Sequence, residues 1–245
     1  MTPEIREYLR RDPVRNAFVL HDLAEEPERA RFWLVRRGGR PVSHLLVYDS
    51  SQFGALWAHL AGEPDAGRLL LPCLPKQGVI VLCPPEMAGA VLDHVVGGRA
   101  IPEEIMVVER GEERLVGSGP AVRVPAEQAE EYARLVVPSI VPLSPALIER
   151  NRQHLAEQVV YGVFQEGALV SVAGTSVRTD DAWIVGGVVT LPAYRRRGYA
   201  RHATSAVTRL ALESAGRAGL WVDAANAPAI ALYQELGYRQ AGTSI

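Results

Sequence analysis

The segment from Thr190 to Arg201, TLPAYRRRGYAR, carries the residues with the clearest potential for chemistry. It follows the apolar run VGGVVT and precedes a stretch with the apolar spacing of a helix. The first backbone N–H groups of a helix lack internal acceptors, and the helix dipole favours an anion there. Gly198 and Ala200 let a ligand approach the backbone closely. The pattern therefore predicts a cradle for a diphosphate.

The arginine run has a second reading, in which Arg195, Arg196 and Arg197 are a solvated surface patch. The strand before the run and the helix after it favour the cradle. Two familiar nucleotide loops are excluded, because the chain contains neither G-x-x-x-x-G-K-[ST] nor G-x-G-x-x-G.

A second segment, NAPAIALYQELGY, begins at Asn226 and places Tyr233 on a short helix. Tyr233 shares its side of the helix with Leu232 and Leu236, as a core tyrosine would. Asn226 can cap the helix, with Pro228 in the first turn.

These two segments resemble the GNAT superfamily of N-acetyltransferases. The superfamily loop [QR]-x-x-G-x-[GA] is matched by Arg195, Gly198 and Ala200. The downstream Asn, helical Tyr and Gly-aromatic pair fall on Asn226, Tyr233, Gly237 and Tyr238. The resemblance covers about residues 121–245, and two motifs at the expected spacing make it specific.

The resemblance implies acetyl-CoA as co-substrate and direct transfer of the acetyl group to an amine acceptor. It implies Tyr233 as the catalytic residue that protonates the departing thiolate, and it implies no metal. The cofactor-binding residues that it implies are Val188, Val189, Thr190, Arg195, Arg196, Arg197, Gly198, Tyr199, Ala200, Arg201 and Asn226. Gly186 and Gly187 depart from the family pattern, since many relatives have a carboxylate base there.

The elements that must position these residues form a regular series after Pro120. Three strands in a meander pass into a strand-helix-strand unit, which predicts an α/β (α+β) fold with a mixed sheet flanked by helices. The resemblance implies that this sheet is splayed. We expect a GNAT domain over residues 119–245, with the charged and glycine-rich segment ERGEERLVGSGP marking the boundary.

Residues 1–118 predict a smaller mixed α/β domain without a chemical motif. Its short apolar runs favour strands, and we expect helices that include Phe53 to Leu60. This domain is either a degenerate GNAT-like copy or a lid over the acceptor site, and no internal sequence repeat is evident.

The composition of the 245-residue chain is ordinary for a globular protein, with 48% apolar and 22% charged residues. The formal net charge of -2 gives no general reason to expect nucleic acid or a membrane as partner. Cys73 and Cys83 are too few for a disulfide framework. The charged start and the lack of a long apolar run predict a cytoplasmic protein. We expect it to be either a monomer or a homodimer.

Acetylation of a primary amine on a small molecule or protein is the leading functional hypothesis. The alternative is a CoA-binding regulatory or interaction module without turnover, suggested by Gly186 and Gly187. An RNA-binding role of the arginines is disfavoured by the overall charge and by the scarcity of interleaved aromatic residues beyond Tyr194 and Tyr199.

Overall fold

The computed structural model describes residues 1–50, 55–117, 119–137, 140 and 142–245. Helices flank two sheets, so the α/β class is confirmed. The helices and strands of the first half are α1 (Pro3–Leu9), α2 (Ala17–Glu25), β1 (Ala30–Arg37), β2 (Arg40–Ser50), β3 (Ala55–Gly62), α3 (Pro64–Arg68), β4 (Val79–Leu82), α4 (Pro85–His94) and β5 (Glu103–Glu109). Those of the second half are β6 (Ala121–Arg123), α5 (Ala129–Val136), α6 (Pro145–Glu157), β7 (Val160–Gln165), β8 (Ala168–Arg178), β9 (Trp183–Thr190), α7 (Tyr199–Ala215), β10 (Arg217–Asp223), α8 (Ala227–Glu235) and β11 (Arg239–Ser244).

Local sequence signals explain the ends of several elements. Helix α6 begins after Ser144, whose Oγ accepts the Leu147 N–H at 3.2 Å, with Pro145 in the first turn. Strands β7 and β8 are joined by Glu166 and Gly167, both at positive φ, as a two-residue hairpin requires. These two residues therefore form a tight hairpin turn.

The described residues form a four-stranded sheet of order β1-β2-β3-β4 and a seven-stranded sheet of order β11-β5-β10-β9-β8-β7-β6. Neighbours β1 to β3 are antiparallel, and β3 pairs with β4 in parallel. In the larger sheet, β7 to β9 are antiparallel, and β9 pairs with β10 in parallel. Both sheets are therefore mixed.

The two halves repeat one order of elements. Strands β1, β2, β3, helix α3, strand β4, helix α4 and strand β5 correspond to β7, β8, β9, α7, β10, α8 and β11. The strand directions correspond as well, since each series makes two antiparallel pairs and then a parallel one. The topology is thus duplicated, although the sequence shows no evident repeat.

The chain divides into two compact units. The first contains residues 1–105, 221–227 and 240–245, and the second contains residues 106–220 and 228–239. Each has its own apolar core, centred on Leu45, Leu60 and Met87 in the first unit and on Leu155 and Val172 in the second. The expected boundary between residues 118 and 119 stays a prediction, and Ser118 lies outside the described residues.

The helix expected from Phe53 to Leu60 is wrong, since Ala55–Gly62 is strand β3. Phe53 lies outside the described residues. Strand β3 hydrogen-bonds to strands on both sides, and its second half is buried, so its apolar residues run without the alternation of a half-exposed strand. Its Ala and Leu residues favour helix intrinsically, and tertiary pairing overrides that preference. In the described part of the chain, no helix is both long and apolar enough to cross a membrane.

Candidate active site

Strand β9 carries a bulge just before the arginine-glycine loop. The register with β8 shifts between the pairs Val172–Val189 and Gly174–Gly186, which leaves an extra residue in β9. Gly187 in this stretch has φ 60°, a backbone conformation that favours glycine. Bulges of this kind bend a strand and are common beside active sites. The pair Gly186–Gly187 therefore bends the strand, and it provides no side chain that could act as a base there.

The edge of β9 that faces β10 is only partly paired. Within the described residues, the parallel register consists of Ala218 with Trp183 and Gly219 with Ile184. From Val185 to Thr190, β9 therefore has no paired strand on this side in the described chain. This is the arrangement expected of a splayed sheet, and it leaves strand backbone groups able to bind an extended ligand.

The loop after β9 presents a row of unused backbone donors. Arg196 has φ 60° and Gly198 has φ 80°, and helix α7 begins immediately afterwards at Tyr199. The first hydrogen bond inside the helix is from the His202 N–H to the Gly198 carbonyl, at 3.1 Å. Among the described residues, the N–H groups from residue 196 to residue 201 have no backbone acceptor. Such a turn into a helix N-terminus is suited to an anion.

Space around Gly198 is open. A Cβ atom placed on this residue meets no atom of the described chain within 4 Å. In the first half, only Glu63 separates the matching strand β3 from helix α3, so no loop of comparable length precedes that helix. Helix α3 has five residues against the 17 of α7.

The arginine side chains around this loop are partly committed to other contacts. Arg195 donates from Nε to the Thr190 carbonyl at 3.2 Å, and the Arg197 guanidinium lies 5.2 Å from the ring centre of Tyr194. Arg201 Nη2 lies 3.4 Å from a carboxylate oxygen of Glu235, which connects the first turn of α7 to the end of α8. Arg201 Nε is buried and has no partner among the described residues.

Tyr233 lies on α8 and is 7% exposed. Burial raises the pKa of its hydroxyl to about 12, so the hydroxyl is protonated at neutral pH. Its ring packs at 5.9 Å from that of Tyr238, whose own hydroxyl lies 2.7 Å from Thr208 Oγ1. Among the described residues, no partner of the Tyr233 hydroxyl is found. The two tyrosines therefore differ: Tyr238 is bonded inside the core, whereas the Tyr233 O–H remains able to donate.

The other expected site residues lie on β9 and around the turn before α8. Val188, Val189 and Thr190 are half-buried at the end of β9, where Thr190 Oγ1 lies 2.8 Å from Ser171 Oγ. Asn226 is exposed in that turn, and its N–H donates to the Asp223 carbonyl at 2.8 Å. Within the described residues, no group of His, Cys, Asp or Glu side chains is arranged to hold a metal ion.

The sequence model of the acetyltransferase (GNAT) family matches residues 123–238. Residues 123–238 are a GNAT acetyltransferase domain. The matched range contains β9, the arginine-glycine loop, α7 and Tyr233, so the features described above belong to the acetyltransferase domain. The expected family resemblance is confirmed. A search among curated proteins found no significant match.

Several solved structures share the fold of this chain over nearly its whole length. A GCN5-related N-acetyltransferase from Kribbella flavida is 19% identical with a TM-score of 0.61, covering 95% of this chain and 93% of its own. One from Sphaerobacter thermophilus is 15% identical with a TM-score of 0.59, covering 93% and 82%. A tandem GNAT protein from the clavulanic acid biosynthesis pathway is 17% identical with a TM-score of 0.56, covering 94% and 86%. At these identities the similarity shows the fold alone.

Some features of the GNAT domain had no reliable signal in the sequence. The bond between Thr208 and Tyr238 joins residues 30 apart, and neither residue type predicts the other. The bulge did have a signal, the Gly186–Gly187 pair inside an apolar strand, which is a common mark of a bulge.

Proposed function

We propose that the chain is an N-acetyltransferase that moves an acetyl group from acetyl-CoA to a primary amine. The observation that carries this proposal is the row of unused N–H groups from residue 196 to residue 201, in a domain of the acetyltransferase family. Members of this family generally use acetyl-CoA and an acceptor. The open space at Gly198 supports close approach of a pyrophosphate to this backbone.

In this proposal, the chain holds acetyl-CoA at three places. The backbone of Val188, Val189 and Thr190 bonds to the pantetheine arm as a neighbouring strand would. The N–H groups of the loop bind the pyrophosphate, with the exposed Arg196 adding charge. Asn226 binds the cofactor beside α8. The partly paired edge of β9 supports the first of these assignments.

The chemical step forms a C–N bond between the neutral amine and the thioester carbonyl carbon, and breaks the C–S bond. A backbone N–H near Val189 stabilises the negative oxygen of the tetrahedral intermediate. Tyr233 donates its proton to the departing thiolate, a role that its unpaired hydroxyl supports. The proton of the attacking amine goes to water or to a base elsewhere in the site, because Gly186 and Gly187 carry no basic side chain. Positioning of the two substrates supplies much of the rate enhancement.

A second candidate function is a CoA-binding regulatory module that lacks turnover. The observation that favours it is again the glycine pair at positions 186 and 187, which leaves β9 without a basic side chain at the bulge. This candidate keeps every cofactor contact described above, and it lacks acyl transfer and the proton transfers that accompany it.

We also propose that the first unit is a degenerate copy of the GNAT fold. The repeated order of elements and strand directions supports this proposal. The single residue between β3 and α3, and the short helix α3, support the absence of a second pyrophosphate cradle. A cytoplasmic location and a monomeric or homodimeric state stay predictions.

The test measures thiol release from acetyl-CoA across a panel of small amines and amine-bearing peptides, beside a calorimetric titration with CoA. Turnover with at least one amine is the expected result. CoA binding without turnover on the whole panel favours the regulatory module. Absence of both contradicts the assignment of the cradle.

A further inference from the structure

A cavity of about 440 Å³ opens in the first unit. Its wall combines the turn between α1 and α2, strand β2, the end of β3, the start of α4 and part of β11. A volume of this size is typical of sites for small molecules. All of its lining residues belong to the first unit, so it is separate from the arginine-glycine loop. The polar side chains that the argument below uses are Tyr8, Arg11, Arg15, Asn16, His44 and Glu86.

A chain of hydrogen bonds leads from the cavity into the core. Tyr8 Oη lies 3.2 Å from His44 Nδ1, and His44 Nε2 lies 3.3 Å from His59 Nδ1. The tautomers of the two rings determine which atom donates in each of these contacts.

Tyr8 offers an acceptor to the cavity in either direction of these bonds. Burial lowers the pKa of His44, and that of His59 to about 4, so both rings are neutral at pH 7 and each carries one N–H. If the Tyr8 O–H donates to His44 Nδ1, both lone pairs of Tyr8 Oη are free, and if His44 Nδ1–H donates to Tyr8, one lone pair is free. Tyr8 Oη is therefore able to accept from a donor in the cavity.

Asn16 adds a second acceptor on the same wall. Its residue is 6% exposed, and its Nδ2 donates to the Leu9 carbonyl at 2.9 Å. Its Oδ1 is buried and has no partner among the described residues. A buried amide oxygen without a donor is costly, and native structures rarely leave one without a reason. A ligand N–H would satisfy this oxygen.

Two arginines on the cavity wall supply hydrogen-bond donors for an anionic group of the ligand. Arg15 is held by Asp12, with Nε 3.3 Å from a carboxylate oxygen, and by the Thr243 carbonyl at 3.2 Å from Nη1. Arg11 is exposed, and its guanidinium lies 5.8 Å from the ring centre of Tyr8. Guanidinium groups pair well with carboxylates. Glu86, at the start of α4, adds a negative charge on the same wall.

The cavity wall is therefore complementary to a ligand that has both a negatively charged group and an N–H donor. We propose that this cavity binds a free α-amino acid, with its carboxylate on Arg11 and Arg15 and its ammonium toward Tyr8, Asn16 and Glu86. The volume leaves room for a side chain beyond these two groups. The site is independent of acyl transfer, and it gives the first unit a ligand of its own.

The experiment is calorimetric titration of the full chain, without acetyl-CoA, against a panel of free L-amino acids. For the tightest member, the matching deaminated acid and the matching decarboxylated amine are titrated in parallel. We expect both truncated compounds to bind at least about tenfold more weakly, since each loses its charge-assisted hydrogen bonds. Because no acyl transfer is measured, failure of the acetyltransferase proposal leaves this test unaffected.

Variants in the first unit locate the site. Arg11→Gln is expected to weaken the amino acid and the deaminated acid by about tenfold. Glu86→Gln and Tyr8→Phe are expected to weaken the amino acid and to leave the deaminated acid unchanged. Arg6→Gln, an exposed arginine of α1 outside the cavity wall, is the matched control and should bind as the parent does. Thermal melts verify folding, and the exposed positions Arg11 and Glu86 carry the test if Tyr8→Phe does not fold.

Three results overturn the proposal. The first is that no amino acid binds below millimolar concentration. The second is that the deaminated acid or the decarboxylated amine binds as tightly as the amino acid. The third is that Arg11→Gln and Glu86→Gln leave amino-acid binding unchanged, which would place the bound molecule elsewhere in the chain.

Discussion

His44 Nε2 and His59 Nδ1 lie 3.3 Å apart on neighbouring strands, with their rings stacked at 5.4 Å between centres. Burial lowers the pKa of both rings, the charge of His59 lowers the pKa of His44 further, and the charge of Arg15 lowers that of His59. A histidine in an unfolded chain titrates near pH 6.5. Protons therefore bind these two histidines more tightly in the unfolded chain than in the folded one.

The free energy of unfolding should decrease as the pH falls. Above pH 6.5 neither state holds a proton on His59, and the full stability is present. Between pH 6.5 and about 4, His59 is protonated in the unfolded chain but not in the folded one. This difference lowers the free energy of unfolding by roughly 3 kcal/mol for His59 alone. Urea unfolding at several pH values measures this slope. The double variant His44→Gln/His59→Gln should flatten this slope. An unchanged slope in the double variant contradicts the assignment.

Gly198→Val should abolish CoA binding, and Gly216→Val should not. These glycines lie at the two ends of α7, with φ of 80° and 73°, and both have open space around the missing Cβ. Each variant pays a similar penalty for positive φ, on the order of 1–2 kcal/mol. Chemical unfolding compares the stabilities, and calorimetry compares the affinities for CoA. Equal CoA affinity in the two variants would show that the loop is not the pyrophosphate site.

Arg196→Gln should weaken CoA binding by less than about tenfold and reduce its salt dependence. The reason is that the exposed Arg196 side chain adds a screened charge, while the backbone N–H groups make the direct hydrogen bonds. Titrations at low and high salt measure both effects. Arg6→Gln serves as the control, and a loss as large as that of Gly198→Val would assign the main role to the side chain.

Tyr233→Phe should slow turnover by roughly a hundredfold while leaving CoA affinity and stability nearly unchanged. Tyr238→Phe is the matched control, since it removes the hydroxyl that bonds to Thr208 at 2.7 Å inside the core. It should cost about 1–2 kcal/mol of stability and leave the rate of the remaining folded protein near that of the parent. Steady-state rates at several pH values, with chemistry rate-limiting, separate the two. A Tyr233→Phe rate within about threefold of the parent would make Tyr233 a packing residue.

The second half was largely predictable because its elements have strong local signals. Glu166 and Gly167 mark a hairpin, and Gly198 followed by an apolar stripe marks the start of α7. The first half was less predictable, because β3 is paired on both sides and lacks alternation. The sequence left a degenerate GNAT-like copy as one of two alternatives for this half, since strand direction and pairing are set by long-range contacts that no single segment encodes.

The cavity in the first unit had no signal at all in the sequence. Tyr8 and His44 are 36 residues apart, and His44 and His59 are 15 apart. Each residue taken alone is an ordinary core or surface residue. Only the packing of α1 on β2, and of β2 on β3, brings their polar atoms into one chain.

The first unit is completed by the distant segment 240–245. Ile245 exchanges two backbone hydrogen bonds with Cys83, and Arg15 bonds to Thr243 across 228 residues of sequence. Contacts of such long separation slow folding, because a large loop must close before they form. During synthesis, residues 1–105 therefore emerge from the ribosome well before their last strand exists. We expect the nascent first half to stay incompletely folded until residues 240–245 have emerged. Until then the backbone N–H and carbonyl of Cys83 lack their partner Ile245 and are accessible to chaperones.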